Sequence, residues 1–147
     1  MNIEEYWNDF LIKNKLPLDT KYYDAFYFFD YSEEGIERLT NLVLSGKKKA
    51  TTSAYLENEE YPHIGSYSIV LNSNNIPVCI IQTTRTRIMR FKDMTYEIAR
   101  LEGEDDRLDT WLFNHSLVFE QESKELGYIF SVDMPIFFEE FEVVWKF

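Results

Sequence analysis

Ile3, Tyr6, Trp7, Phe10 and Leu11 recur at helical spacing, and Asn2 with Glu5 stand where a capping box places its N-cap side chain and its N3 carboxylate. A first helix ending before Pro17 is predicted. The aromatic run YDAFYFFD that follows suits a strand or a short helix equally. A second helix is predicted from Ser32 as N-cap, through Glu33 and Glu34 in the first turn, along an apolar face of Ile36, Leu39, Leu42 and Val43. Gly46 stops it. ATTSAY then favours a strand, and between Ile64 and Phe91 the pattern is β, with SYSIVL, the turn SNN and the long run IPVCIIQTTRTRIMRF. A short third helix is predicted from about Met94 to Leu101, capped by Asp93 or Thr95 and stopped at Gly103. A fourth lies in LDTWLFNHSLVF, with Leu108, Trp111, Leu112, His115, Val118 and Phe119 along one stripe. The tail from Tyr128 onward reads as strands.

Strands interrupted by short helices imply an α+β domain with a small mixed β-barrel or strongly curved sheet, surrounded by helices. At 147 residues, with 45% hydrophobic and 17% aromatic residues, the chain has the material for one packed core without disulfides. Cys79 is the only cysteine and sits in an apolar run, which excludes dithiol chemistry and fits an inert buried thiol. The N-terminus is acidic and no apolar stretch approaches the roughly 18 residues of a membrane span. No membrane partner is expected, and the location expected is cytoplasmic. A formal net charge of -11 argues against broad nucleic-acid binding, which draws its affinity from Lys and Arg. The basic candidates are Lys47 to Lys49 and the group Arg85, Arg87, Arg90 and Lys92, and neither is interleaved with aromatic residues.

Against that acidic background, SGKKKATTS at 45–53 has three lysines in a row followed, after Ala50, by three hydroxyl side chains. Lysines near a helix end with a Gly behind them are explained by the helix dipole alone. The chemical alternative pairs Lys48 with Thr51, since a threonine hydroxyl becomes a nucleophile once a neighbouring amine takes its proton. EGEDD at 102–106 is a second candidate, either a solvated acidic cap or a site; its spacing does not fit an EF-hand frame. His115 is either a hydrogen-bonded core histidine or a site residue, and two histidines without a spacing pattern make no zinc site.

Gly46, Lys48 and Thr51 match a Gly-x-Lys-x-x-Thr signature, and the later blocks GSYSIVL, IPVCIIQTTRTRIMRF, MTYEIARLEGEDDRLDTWLFNH and the closing strands follow in order. In these blocks the chain resembles the small bacterial stand-alone ASCH proteins, relatives of the PUA-like RNA-binding folds, over roughly residues 35 to 145. The resemblance implies a small mixed β-barrel ringed by helices, here one ASCH domain over 1–147 with an N-terminal helical extension of about thirty residues. One branch of the family consists of metal-free amidohydrolases acting on N4-acetylcytidine through a Lys, a Thr and a Glu. Carried over, these fall on Lys48, Thr51 and Glu102, with no metal and no cofactor. Lys48 would deprotonate Thr51, while Glu102 would protonate the leaving nitrogen or hold Lys48 in place. Ser53, Tyr55, Arg85, Glu104, Trp111 and His115 are the expected substrate contacts, and Ser53 stands where that branch has Arg. The expected partner is a nucleoside-like small molecule. The alternative is an RNA-binding or RNA-processing module.

Overall fold

In a computed structural model, residues 1–146 are described, and five strands form one sheet in the order β1-β3-β4-β5-β2. The strands are β1 (Asp24–Phe26), β2 (Ala50–Ala54), β3 (Tyr67–Leu71), β4 (Pro77–Arg90) and β5 (Pro135–Lys146). Only β1 runs parallel to its neighbour β3; the other pairings are antiparallel. The two longest strands pair along most of their length, and their register shifts at Ile80/Ile81 and Thr83/Arg85. Each shift bends and twists the ribbon, so that the sheet curls into a half-barrel. The fold is therefore α+β, and the aromatic run at 23–30, open in the sequence, supplies edge strand β1.

Period-two alternation assigns each helix its face of the sheet. Ile69, Leu71 and Ile80 face α1 (Ile3–Lys13), which buries Tyr6, Trp7, Phe10 and Leu11 against them. The capping box at Asn2 and Glu5 is formed as the spacing required. Trp7 donates its indole N–H to Thr20 O at 3.0 Å, which ties the following segment back along the helix. The alternate residues Val70, Cys79 and Ile81 face α2 (Glu33–Leu44), with Leu39, Val43, Phe28 and Phe141. Burial pushes the Cys79 thiol up to about 12, so it is inert. A third cluster joins Ala50, Ala54, Ile136 and Phe138 to Trp111 and Phe119 of α4 (Leu108–Leu126).

The third helix is shorter than its pattern predicts. It is a single turn, α3 (Tyr96–Ala99), capped by Thr95 and flanked by 3-10 turns at Phe91–Asp93 and Arg100–Glu102. Met94 is extended between them because its side chain is drawn into the third cluster. By contrast α4 runs on past Phe119 to Gly127, through a polar segment that shows no apolar period. The tail forms its strand only from Pro135, since the preceding residues turn, with Met134 N–H bonding Ser131 O at 3.1 Å. Among the described residues, no helix is long and apolar enough to cross a membrane.

Candidate functional site

The lysine run leaves α2 pinned on three sides. Lys47 and Lys48 both donate their backbone N–H to Leu42 O, Lys49 N–H bonds Leu101 O at 2.8 Å, and Lys49 O accepts from Phe141 N–H at 2.9 Å. Lys47 and Lys49 reach solvent, whereas Lys48 is only 2% exposed. Burying an ammonium is costly unless every proton finds an acceptor. Here the three acceptors are Ala50 O at 2.8 Å, Glu104 Oε2 at 2.6 Å and, more loosely, Glu102 Oε1 at 3.5 Å. The last turn of α2 itself carries no basic residue, and Lys48 is not a solvated helix-end charge.

Gly103 makes that clasp possible. It has φ 73°, and a Cβ there would come within 2.5 Å of Lys47 O. Only glycine lets the turn lie against the lysine backbone while the carboxylates on either side, Glu102 and Glu104, converge on one nitrogen. Gly103→Ala is expected to cost about 1–2 kcal/mol for the left-handed backbone alone, with a further loss as the collision pushes the turn away. Urea denaturation measures it, and a loss under about 0.5 kcal/mol would contradict this account.

Glu102 is the hub. It accepts from Thr52 Oγ1 at 2.6 Å, Trp111 Nε1 at 2.7 Å, His115 Nε2 at 3.3 Å and Lys48. Burial alone would raise its carboxyl, but the charges of His115 and Lys48, with the His115 and Thr52 hydrogen bonds, outweigh burial and hold it well below the usual carboxylate range. His115 is tuned the other way. Burial favours its neutral form, yet the Glu102 carboxylate, Glu104 and the Trp111 carbonyl, 2.9 Å from Nδ1, raise it above its ordinary 6.5. Its ring also stacks on Trp111, centroids 3.9 Å apart.

The two shifts act on opposite sides of neutrality. A raised histidine stabilises fully below its unfolded pKa and loses that contribution as pH rises through the folded value. Stability should thus decline as pH is raised above 6.5, and His115→Gln should flatten that decline in urea melts taken across the range. The depressed Glu102 contributes above its unfolded value and loses its contribution only on strong acidification, as pH falls through the folded one. A wild-type curve level on the alkaline side would remove the charged histidine from the account.

These groups open into a cavity of about 740 Å³, bounded by the loop after β1, by edge strand β2, by the 102–105 turn and by α4. Thr51 and Thr52 point to opposite faces of β2, as their partners show: Thr51 pairs with the buried Glu139 and Thr52 with Phe138. Because β2 is the edge, both threonines contribute to the lining of the cavity beside it, together with Ser53. Among the described residues the Thr51 side chain makes no hydrogen bond. Glu139 accepts from Thr83 Oγ1 at 2.6 Å, and burial raises its carboxyl above the usual range despite that bond.

Of the residues predicted from sequence, Lys48, Thr51, Ser53, Glu102, Glu104 and His115 line this one cavity. Trp111 lies directly behind it, fully buried. Tyr55 and Arg85 do not line it. Tyr55 follows the last residue of β2 and packs on Tyr61 at 5.0 Å, and the register shift on β4 turns Arg85 toward Glu140 at 3.8 Å. Thr52 was missed, although its alternation with Ala50 and Ala54 places it on the face toward α4. Among the described residues, no group of three His, Cys, Asp or Glu side chains is arranged to hold a metal ion.

Comparison with known proteins places this architecture. The family model described as the ASCH domain matches residues 25–145. A crystal structure of an Enterococcus faecalis V583 protein assigned to the family DUF984 is 35% identical, with 99% of this chain and 94% of that one covered at a TM-score of 0.87. The ASCH domain from Lactobacillus crispatus JV V101 is 27% identical, with 99% and 97% covered at a TM-score of 0.83. No curated protein matches the chain.

Proposed function

The chain belongs to the ASCH domain family, with its PUA-like fold, and from its cavity we propose that it is a small-molecule amidohydrolase acting on an acylated nucleoside of the N4-acetylcytidine type. The observation that carries this reading is the buried, clasped Lys48 in the same cavity lining as Thr51, in a cavity of about 740 Å³. Carboxylates dominate the charged lining: Asp30, Glu102, Glu104, Asp105, Glu122 and Glu125 flank the cavity, against Arg38, Lys48 and His115. Such a lining suits an uncharged nucleoside and repels a phosphate backbone. The arginines that would favour RNA are engaged elsewhere, with both Arg85 and Arg87 turned to Glu140.

In this mechanism Glu102 remains ionised throughout, since four donors hold it so, and its part is to anchor Lys48 rather than to donate a proton. Glu104 is the partly open carboxylate, 2.6 Å from the ammonium. Substrate that displaces water from Glu104 favours passing the shared proton to it, and Lys48 becomes an amine able to take the Thr51 proton. The Thr51 oxygen then bonds the amide carbon, the C–N bond breaks, and the proton held by Glu104 goes to the departing nitrogen. Water hydrolyses the resulting threonine ester and returns the hydroxyl.

The test is direct. Incubated with N4-acetylcytidine, the protein is expected to release cytidine and acetate, followed by chromatography, and a chelator is expected to leave the rate unchanged. Absence of acetate together with salt-sensitive RNA affinity would replace this reading with the RNA-binding one. A rate lost to chelation and restored by a divalent ion would overturn the metal-free mechanism.

A further inference from the structure

The wall of the cavity opposite β2 is an aromatic loop whose shape follows from its neighbours. Phe28 is its root, 5% exposed, stacked on Phe141 at 5.8 Å and edge-on to Phe26 at 5.1 Å. Two residues on, Asp30 is laid against the first turn of α2, so close to Gly35 that a Cβ there would collide with its carboxylate. With positions 28 and 30 fixed inward, the residues that alternate with them are turned out. Phe29 and Tyr31 are 55% and 58% exposed, and their rings sit edge to face, 5.2 Å apart at 76°. Both line the cavity, with Leu117 and Val118 of α4 also in its lining.

Two large rings held in water have no role in the core, and a scattered exposed aromatic would need no explanation. These are paired, oriented by anchored neighbours and placed at the mouth of a polar cavity. We infer that Phe29 and Tyr31 form the aromatic platform for the base of an unphosphorylated nucleoside, one ring offering its face and the other its edge, an assignment that rests on the proposed function for its ligand class. A flat π-face accepts any base, so the platform supplies affinity while the polar floor supplies selection. Glu122 and Glu125 in the same lining act against a phosphate, so the platform takes nucleosides in preference to nucleotides.

Isothermal titration with cytidine and with cytidine 5′-monophosphate tests both halves. The wild-type protein is expected to bind cytidine, and Phe29→Leu/Tyr31→Leu, which keeps apolar bulk but removes the rings, to bind it roughly tenfold more weakly. Both side chains are more than half exposed, so the variant should fold normally. The monophosphate should bind wild type at least about tenfold more weakly than cytidine, with the gap narrowing as salt is added. Leucine variants within twofold of wild type, equal affinity for the monophosphate, or no nucleoside binding at all would each overturn the platform. Turnover of N4-acetylcytidine, measured alongside, separates the two ideas. Ring-dependent binding without acetate release keeps the platform and removes the hydrolase, whereas acetate release with an unchanged KM in the leucine variant does the reverse.

Discussion

Thr51→Ala should abolish acetate release from N4-acetylcytidine, lowering kcat by roughly three orders of magnitude or more, while leaving ligand affinity within about threefold. A hydroxyl that forms a bond only in the transition state contributes little to ground-state binding, and here it makes no hydrogen bond whose loss would disturb the fold. Lys48→Arg should be nearly as damaging, because a guanidinium keeps its charge near neutral pH and cannot take a proton. It must also fit where Ala50 O, Glu102 and Glu104 surround a single nitrogen. The neighbouring hydroxyl supplies the control. Thr52 donates to Glu102 at 2.6 Å, so Thr52→Ala should cost stability and only part of the rate. If Thr52→Ala alone silences the protein while Thr51→Ala remains active, the nucleophile is the other threonine and the carried-over role is wrong. If neither substitution changes acetate release, covalent catalysis from this strand is excluded.

Glu102→Gln is expected to be the most destabilising change in the site, at about 3–5 kcal/mol. The amide retains the shape of the carboxylate, so the effect isolates charge. All four of its neighbours, the Lys48 ammonium, the Thr52 hydroxyl, the Trp111 indole N–H and the His115 imidazole, can donate toward it. A glutamine NH2 would necessarily point at some of them, and Lys48 would keep only Glu104 as counter-charge. Denaturant midpoints measure the loss. Adding Lys48→Met should recover a substantial part of it, because removing both members of a buried pair spares the fold an unpaired ion. Additive losses in the double variant would instead mean that Glu102 is held for reasons unrelated to Lys48.

Local signals were the legible ones. Asn2 with Glu5 and Ser32 with its acidic first turn mark helix starts through contacts three residues apart, and both helices begin where those residues stand. The two long strands were equally plain, since β-branched and alternating residues carry the pattern along the chain. Features set by distant partners were less visible. Gly103 announces the stop after α3, but its close approach to Lys47, which fixes the turn, depends on a partner more than fifty residues away. The segment of α4 after Phe119 is polar and mostly exposed, so its helicity left no apolar stripe. In the site, Lys48 is legible through the Gly-x-Lys-x-x-Thr signature and Glu102 and Glu104 through the EGEDD run and the family resemblance, whereas the cue for Thr52 is alternation along β2. Arg85 illustrates the converse, because one register shift on β4 is enough to redirect a side chain.

The family model matches from residue 25, with helix α1 before it, although the similar solved structures span 99% of the chain. Yet Tyr6, Trp7, Phe10 and Leu11 cover Ile69, Leu71 and Ile80, with Tyr67 and Trp145 packed at the margin. A protein trimmed to the recognised segment would present that entire side of its sheet to water, a continuous apolar surface on which two such molecules could close. The first helix therefore does for this side of the sheet what a partner surface would otherwise have to do, and the length of chain that must fold together includes it.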